Sequence, residues 1–125
     1  MHDKRIKLED LTGETLAAVD ILDGDEIILT TQSGRRVKIF HDQDCCESVG
    51  IEGPEGDWTP LLGKVLLECK QESESFVRAY GTGTKTTLTF RVDDATVVSR
   101  WIGESNGYYS EEVFFTIEPC PLSKN

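Results

Sequence analysis

The stretch "TTLTFRVDDATVVSRWI", Thr86–Ile102, decides the fold. In its first half Leu88, Phe90 and Val92 alternate with Thr87, Thr89 and Arg91. In its second half Val97, Ser99 and Trp101 alternate with Val98, Arg100 and Ile102. A period of two, rich in β-branched residues, is the pattern of a strand with one buried face. "DDA" between the halves turns the chain, so the stretch is a pair of antiparallel strands.

The same reading extends outward. "EEVFFTI" closes the C-terminal third as a further strand. Near the N-terminus, a strand from Thr15 to Leu22, "EIILTT" and "RVKIF" form a meander, joined by the turns "LDGDE" and "QSGRR". "GIEGPEGDW" is a loop, and "TPLLG" a single helical turn with Thr59 as N-cap, Pro60 in first position and Gly63 as stop. "KVLLECKQ" fits a strand or a short helix equally. "ESESFVRAYGTGTKT", polar and glycine-bearing, reads as a mobile connection anchored by Phe76 and Tyr80. The expected class is α+β: a mainly antiparallel β-sheet of about six or seven strands with one or two short helices. The 125 residues suit a single domain, with no repeats and no linker.

A formal charge of −10 excludes wrapping of a polymeric nucleic acid, whose phosphates need a basic face. It leaves room for a small anion, held locally by arginines drawn from Arg35, Arg36, Arg78, Arg91 and Arg100. The N-terminal "MHDKRIKLEDL" has no signal-peptide core, and the longest apolar run, "KVLLECK", is too short to span a bilayer. These features point to a cytoplasmic protein with reduced cysteines.

"HDQDCCESV", His41–Val49, raises metal and nucleophile chemistry. Neighbouring Cys45 and Cys46 cannot bridge each other, because adjacent Cα atoms lie ~3.8 Å apart and a relaxed disulfide wants ~4.4–6.8 Å. His41 and Cys45 would share a helix face, but in an extended segment they stand ~13 Å apart, and no C-x-x-C pair completes a zinc site. No third group marks a Cys-His catalytic arrangement. Cys45 and Cys46 are better read as small buried apolar groups, with Asp42 and Asp44 fixing the turn. No catalytic residue, metal or cofactor is expected.

"RWIGESNGYYSEE", Arg100–Glu112, carries more. Asn106-Gly107 is a hairpin turn. Its flanks add Gly103, Ser105, Tyr108 and Tyr109 after Arg100 and Trp101. Aromatic faces stack on bases, Asn and Ser bond polar edges, and arginine grips phosphate, so the mix suits a nucleotide. It suits a protein interface equally.

The two segments, with "DW-x-x-LLG" at Asp57–Gly63 between them, resemble a family of small bacteriophage and prophage proteins similar to the Thoeris anti-defence nucleotide sponges. The resemblance implies a non-enzymatic homo-oligomer, a dimer that can associate into a hexamer. Such a protein holds cyclic-ADP-ribose-type immune signals, and in some members cyclic oligonucleotides, inside the host cell. The matched positions are His41, Asp42, Asp44, Cys45, Cys46 and Glu47, then Arg100, Trp101, Gly103, Ser105, Asn106, Gly107, Tyr108 and Tyr109. On chemical grounds the ligand-binding residues are Arg100 on phosphate, Ser105 and Asn106 on polar edges and Tyr108 or Tyr109 on the base, with Phe76 and Arg78 as further candidates. Trp101 belongs to the core, and the His41–Glu47 segment to the scaffold. The alternative is an acidic protein-binding inhibitor or nucleic-acid mimic that blocks a host protein.

Overall fold

The computed structural model describes residues 4–22, 25–41, 47–52, 57–79, 81–105, 111 and 113–118. Among these residues nine strands form: β1 (Lys4–Arg5), β2 (Leu16–Leu22), β3 (Glu26–Thr31), β4 (Arg36–Phe40), β5 (Ser48–Ile51), β6 (Glu68–Arg78), β7 (Gly81–Arg91), β8 (Thr96–Ser105) and β9 (Phe114–Glu118). The first sheet runs β1-β9-β4-β3-β2 and the second β5-β8-β7-β6, and every ladder is antiparallel. The short helices are 3-10 turns at Leu8–Leu11 and Thr59–Leu61. The mainly antiparallel β architecture expected from the alternation is what the chain adopts.

One core joins the sheets. Ile27, Leu29, Val37, Ile39 and Phe115 enter it from the first, and Val49, Leu88, Phe90, Val97 and Trp101 from the second. Leu8, Leu11, Trp58 and Leu61 close it from the two 3-10 turns, with the Trp58 ring 5.1 Å from that of Phe90. Trp101 is therefore core, as its place in the alternation requires.

Three local readings need adjustment. The stretch Glu72–Thr86 is a hairpin rather than a connection: eleven cross-strand pairs run from Glu68↔Arg91 to Arg78↔Gly81, and Tyr80, expected as an anchor, lies outside the described residues. Its inward and outward positions are both polar, so hydropathy shows no period, yet the threonines of "TGTKTTLT" favour a pleated backbone. "KVLLECKQ" resolves as the entry to β6. At "TPLLG" the capping oxygen is that of Asp57, which accepts from Thr59 N at 3.0 Å, while Gly63 ends the turn at φ +79°. No helix among the described residues is long and apolar enough to cross a membrane.

Candidate functional site

Alternation along β8 sends Arg100 out of the sandwich and Trp101 into it. Register then decides what Arg100 meets. Thr87 pairs with Arg100 and Glu72 with Thr87, while Glu52 N donates to Arg100 O at 2.8 Å. The neighbouring row holds Ile102, Lys85 and Glu74. Together Glu52, Glu72, Glu74, Lys85, Thr87 and Arg100 line an open groove of about 500 Å³, backed by Ser73 and Trp101. Arg100 and Lys85 are exposed, and neither forms an ion pair with a described residue. Two available cations suit phosphate oxygens, and flanking carboxylates suit sugar hydroxyls or amino groups.

The end of the same sheet is closed by Glu111. Its Oε2 accepts hydroxyl bonds from Ser105 at 2.5 Å and Thr82 at 2.6 Å, and its Oε1 accepts one from Thr84 at 2.8 Å. Burial pushes its carboxyl up, but the Ser105, Thr82 and Thr84 hydroxyls and the nearby Arg78 charge outweigh that and hold it below the ordinary carboxylate value. Gly103 permits this approach, because a Cβ there would lie 2.9 Å from Glu111 O. Arg78 donates to Ser105 O at 3.1 Å and pairs with Glu104 at 3.6 Å. The Phe76 ring covers Gly83 on the facing strand, so a side chain at Gly83 would fall within the ring.

His41 and Glu47 form a second buried pair, Nε2 to Oε2 at 2.9 Å, with the imidazole stacked on Phe114 at 5.8 Å between ring centroids. They pin the two sides of the segment that carries Asp42, Asp44, Cys45 and Cys46, which lies outside the described residues. Cys69 is a free, buried thiol pushed up to about 12 by burial, so it is a poor nucleophile. Among the described residues no group of three or more His, Cys, Asp or Glu is arranged to hold a metal.

The sequence-predicted candidates are thus dispersed. Arg100 lines the outer groove; Phe76 and Arg78 share its face, Phe76 standing two cross-strand rows away, ~13 Å along the strands. Ser105 points inward, and its hydroxyl bonds Glu111. Asn106, Gly107, Tyr108 and Tyr109 lie outside the described residues. Sequence reasoning missed Lys85, Glu72, Glu74 and Glu111. Pairing Arg78 with Gly81 at the turn would have placed Thr87, hence Lys85 and Glu72, beside Arg100 once β7 and β8 were aligned.

A family model, DUF7448, described as a domain of unknown function, matches residues 4–115. The chain belongs to that family. The DUF7448 match runs from β1 into β9 and so takes in both sheets and the outer groove. No curated protein and no solved structure matches the chain.

Proposed function

We propose that this DUF7448 protein captures a cyclic nucleotide signal, a cyclic ADP-ribose isomer or a cyclic oligonucleotide, and holds it without degrading it. This is the anti-defence role that the resemblance of "HDQDCCESV" and "RWIGESNGYYSEE" to bacteriophage sponges implies. One observation carries the reading: Arg100 and Lys85 stand exposed and without an ion pair to a described residue, in a groove of ligand size on an otherwise acidic protein. The cations take phosphate, and Glu72, Glu74 and Glu52 take hydroxyl or amino donors. Sequestration needs many preformed contacts and no chemistry, which side chains set in register along a groove on a paired sheet can supply. In line with the resemblance, the protein acts as a homo-oligomer in the host cytoplasm.

The test is retention. The protein is incubated with cyclic ADP-ribose isomers and cyclic di- and trinucleotides, separated from free ligand and heat-denatured, and the released material is identified. Intact ligand in stoichiometric amount is expected from the wild type. Arg100→Ala lowers retention at least tenfold while its circular dichroism and oligomer mass stay unchanged. Altered ligand would mean an enzyme, and no retention across the panel would favour the protein-binding inhibitor.

A further inference from the structure

A second groove, of about 660 Å³, opens on the opposite face of the same sheet. One wall is the inner face of β6 and β7: Gln71, Ser73, Ser75, Thr84 and Thr86. The other is apolar, made by Ile6, Val113, Phe114 and Phe115, with Lys7 at the side. Inward positions of a β-sandwich are ordinarily apolar, and this sheet obeys that rule at Cys69, Leu88 and Phe90. Further along the hairpin the rule stops. Register sets Ser73 opposite Thr86 and Ser75 opposite Thr84, so a patch of neutral hydroxyls replaces the core.

Charge is sorted between the faces. The outward positions of the same two strands carry Lys70, Glu72, Glu74 and Lys85; the inward ones carry hydroxyls and an amide. A face that merely met water would tolerate charge as its reverse does. Thr86 is only 2% exposed, and among the described residues its hydroxyl has just the Ser73 hydroxyl at 3.4 Å, the outer limit of a hydrogen bond. The side chains of Gln71 and Ser75 make no hydrogen bond with a described residue. Unused neutral donors and acceptors thus face an apolar wall across a space of small-molecule size.

We infer that this inner groove binds a neutral polyhydroxylated ring, either a free saccharide or the sugar of a nucleoside. The C–H face of the ring lies on Val113, Phe115 and Ile6, and its hydroxyls bond Gln71, Ser73, Ser75 and Thr86. Among the described residues no carboxylate is part of the lining and Lys7 is its one cation, while Glu111 reaches the groove's edge through its bond to Thr84, so recognition depends mainly on shape and hydroxyl pattern rather than charge. The site is distinct from the Arg100 groove, since the hydroxyl-bearing and charged side chains point to opposite faces, although Ser73 borders both grooves.

The test uses the full ¹⁵N-labelled chain, titrated to millimolar concentration with maltotriose and, separately, with adenosine. Amide shifts are expected at residues 71–75 and 84–86 without parallel shifts at Arg100. Response to maltotriose alone identifies a saccharide site, and response to adenosine alone a nucleoside-sugar site; either supports the inference. The double variant Ser73→Ala/Thr86→Val weakens the response at least tenfold. Should it fail to fold, Ser75→Asp, at an exposed rim position, does the same work by placing a charge in the groove. No shift with either probe, or shifts that the variants leave unchanged, would overturn the assignment.

Discussion

Glu111→Ala removes an acceptor on which three hydroxyls converge. The Ser105 bond, 2.5 Å and buried, is the most costly to lose, because a hydrogen bond to a charged acceptor contributes ~1.5–3 kcal/mol. Thr82 is exposed and Thr84 half-buried, so water replaces the carboxylate there and each adds ~0.5 kcal/mol. The sum is ~3 kcal/mol, a large share of the ~5–15 kcal/mol that stabilises a typical domain. In a chain of this length it lowers Tm by ~10 °C. Urea denaturation followed by the fluorescence of buried Trp101 and Trp58 reads it directly. The pH dependence has a defined sign. Glu111 titrates lower in the folded chain than in the unfolded one, so the unfolded state binds the extra proton. Its charge-dependent stabilisation is complete above the unfolded carboxylate value, ~4.3, and is lost as pH falls through the lower folded value. Wild type and variant should therefore differ by ~3 kcal/mol at pH 7. The difference should narrow as pH falls through the folded value, because only the part that depends on the carboxylate charge is lost while the protonated carboxyl still accepts through its carbonyl. A difference below ~1 kcal/mol at pH 7, or one that widens on acidification, refutes the hydroxyl cage as a stabilising device.

Gly83→Ala forces the Phe76 ring off the sheet and costs ~1–3 kcal/mol, and much of that cost should disappear in a Phe76→Ala background. A double-mutant cycle with no coupling would show that the ring does not rest on the glycine. Cys69, 2% exposed with its thiol pushed up to about 12, should resist iodoacetamide at pH 8 in the native chain and react once urea unfolds it. Peptide mass mapping distinguishes the two states, and equal labelling in both would contradict the burial.

The strands flanking "DDA" were legible because Leu88, Phe90, Val97 and Trp101 differ sharply in polarity from their neighbours, and burial follows that contrast. The β6–β7 hairpin was not, because its alternation is between charged and uncharged polar residues. Hydropathy treats Glu72 and Ser73 alike, although they face opposite sides of the sheet. The outward direction of Arg100 follows from its strand alone, but its companions depend on register, and register depends on which residue starts β7. Gly81 does, at φ +130°, after the turn. Glu111 follows the Asn106-Gly107 pair closely in sequence, yet nothing local marks it. Its partners Thr82 and Thr84 lie 29 and 27 residues away in sequence.

The distal half of the hairpin has almost no apolar burial to hold it, since its inward residues are hydroxyls and Val77 at its end is 87% exposed. Its fastening is concentrated instead at the turn end. Phe76 covers Gly83, Arg78 holds Ser105 O and Glu104, and Glu111 gathers Thr82, Thr84 and Ser105. Both grooves draw on this same half of the sheet, the outer one through Glu74 and Lys85 and the inner one through Ser75 and Thr84. Polar fastening is what allows a strand pair to keep two wet faces in register without a core between them. Loosening it at Glu111 should therefore weaken ligand binding on the outer and inner faces together, whereas Arg100→Ala should touch the outer face alone.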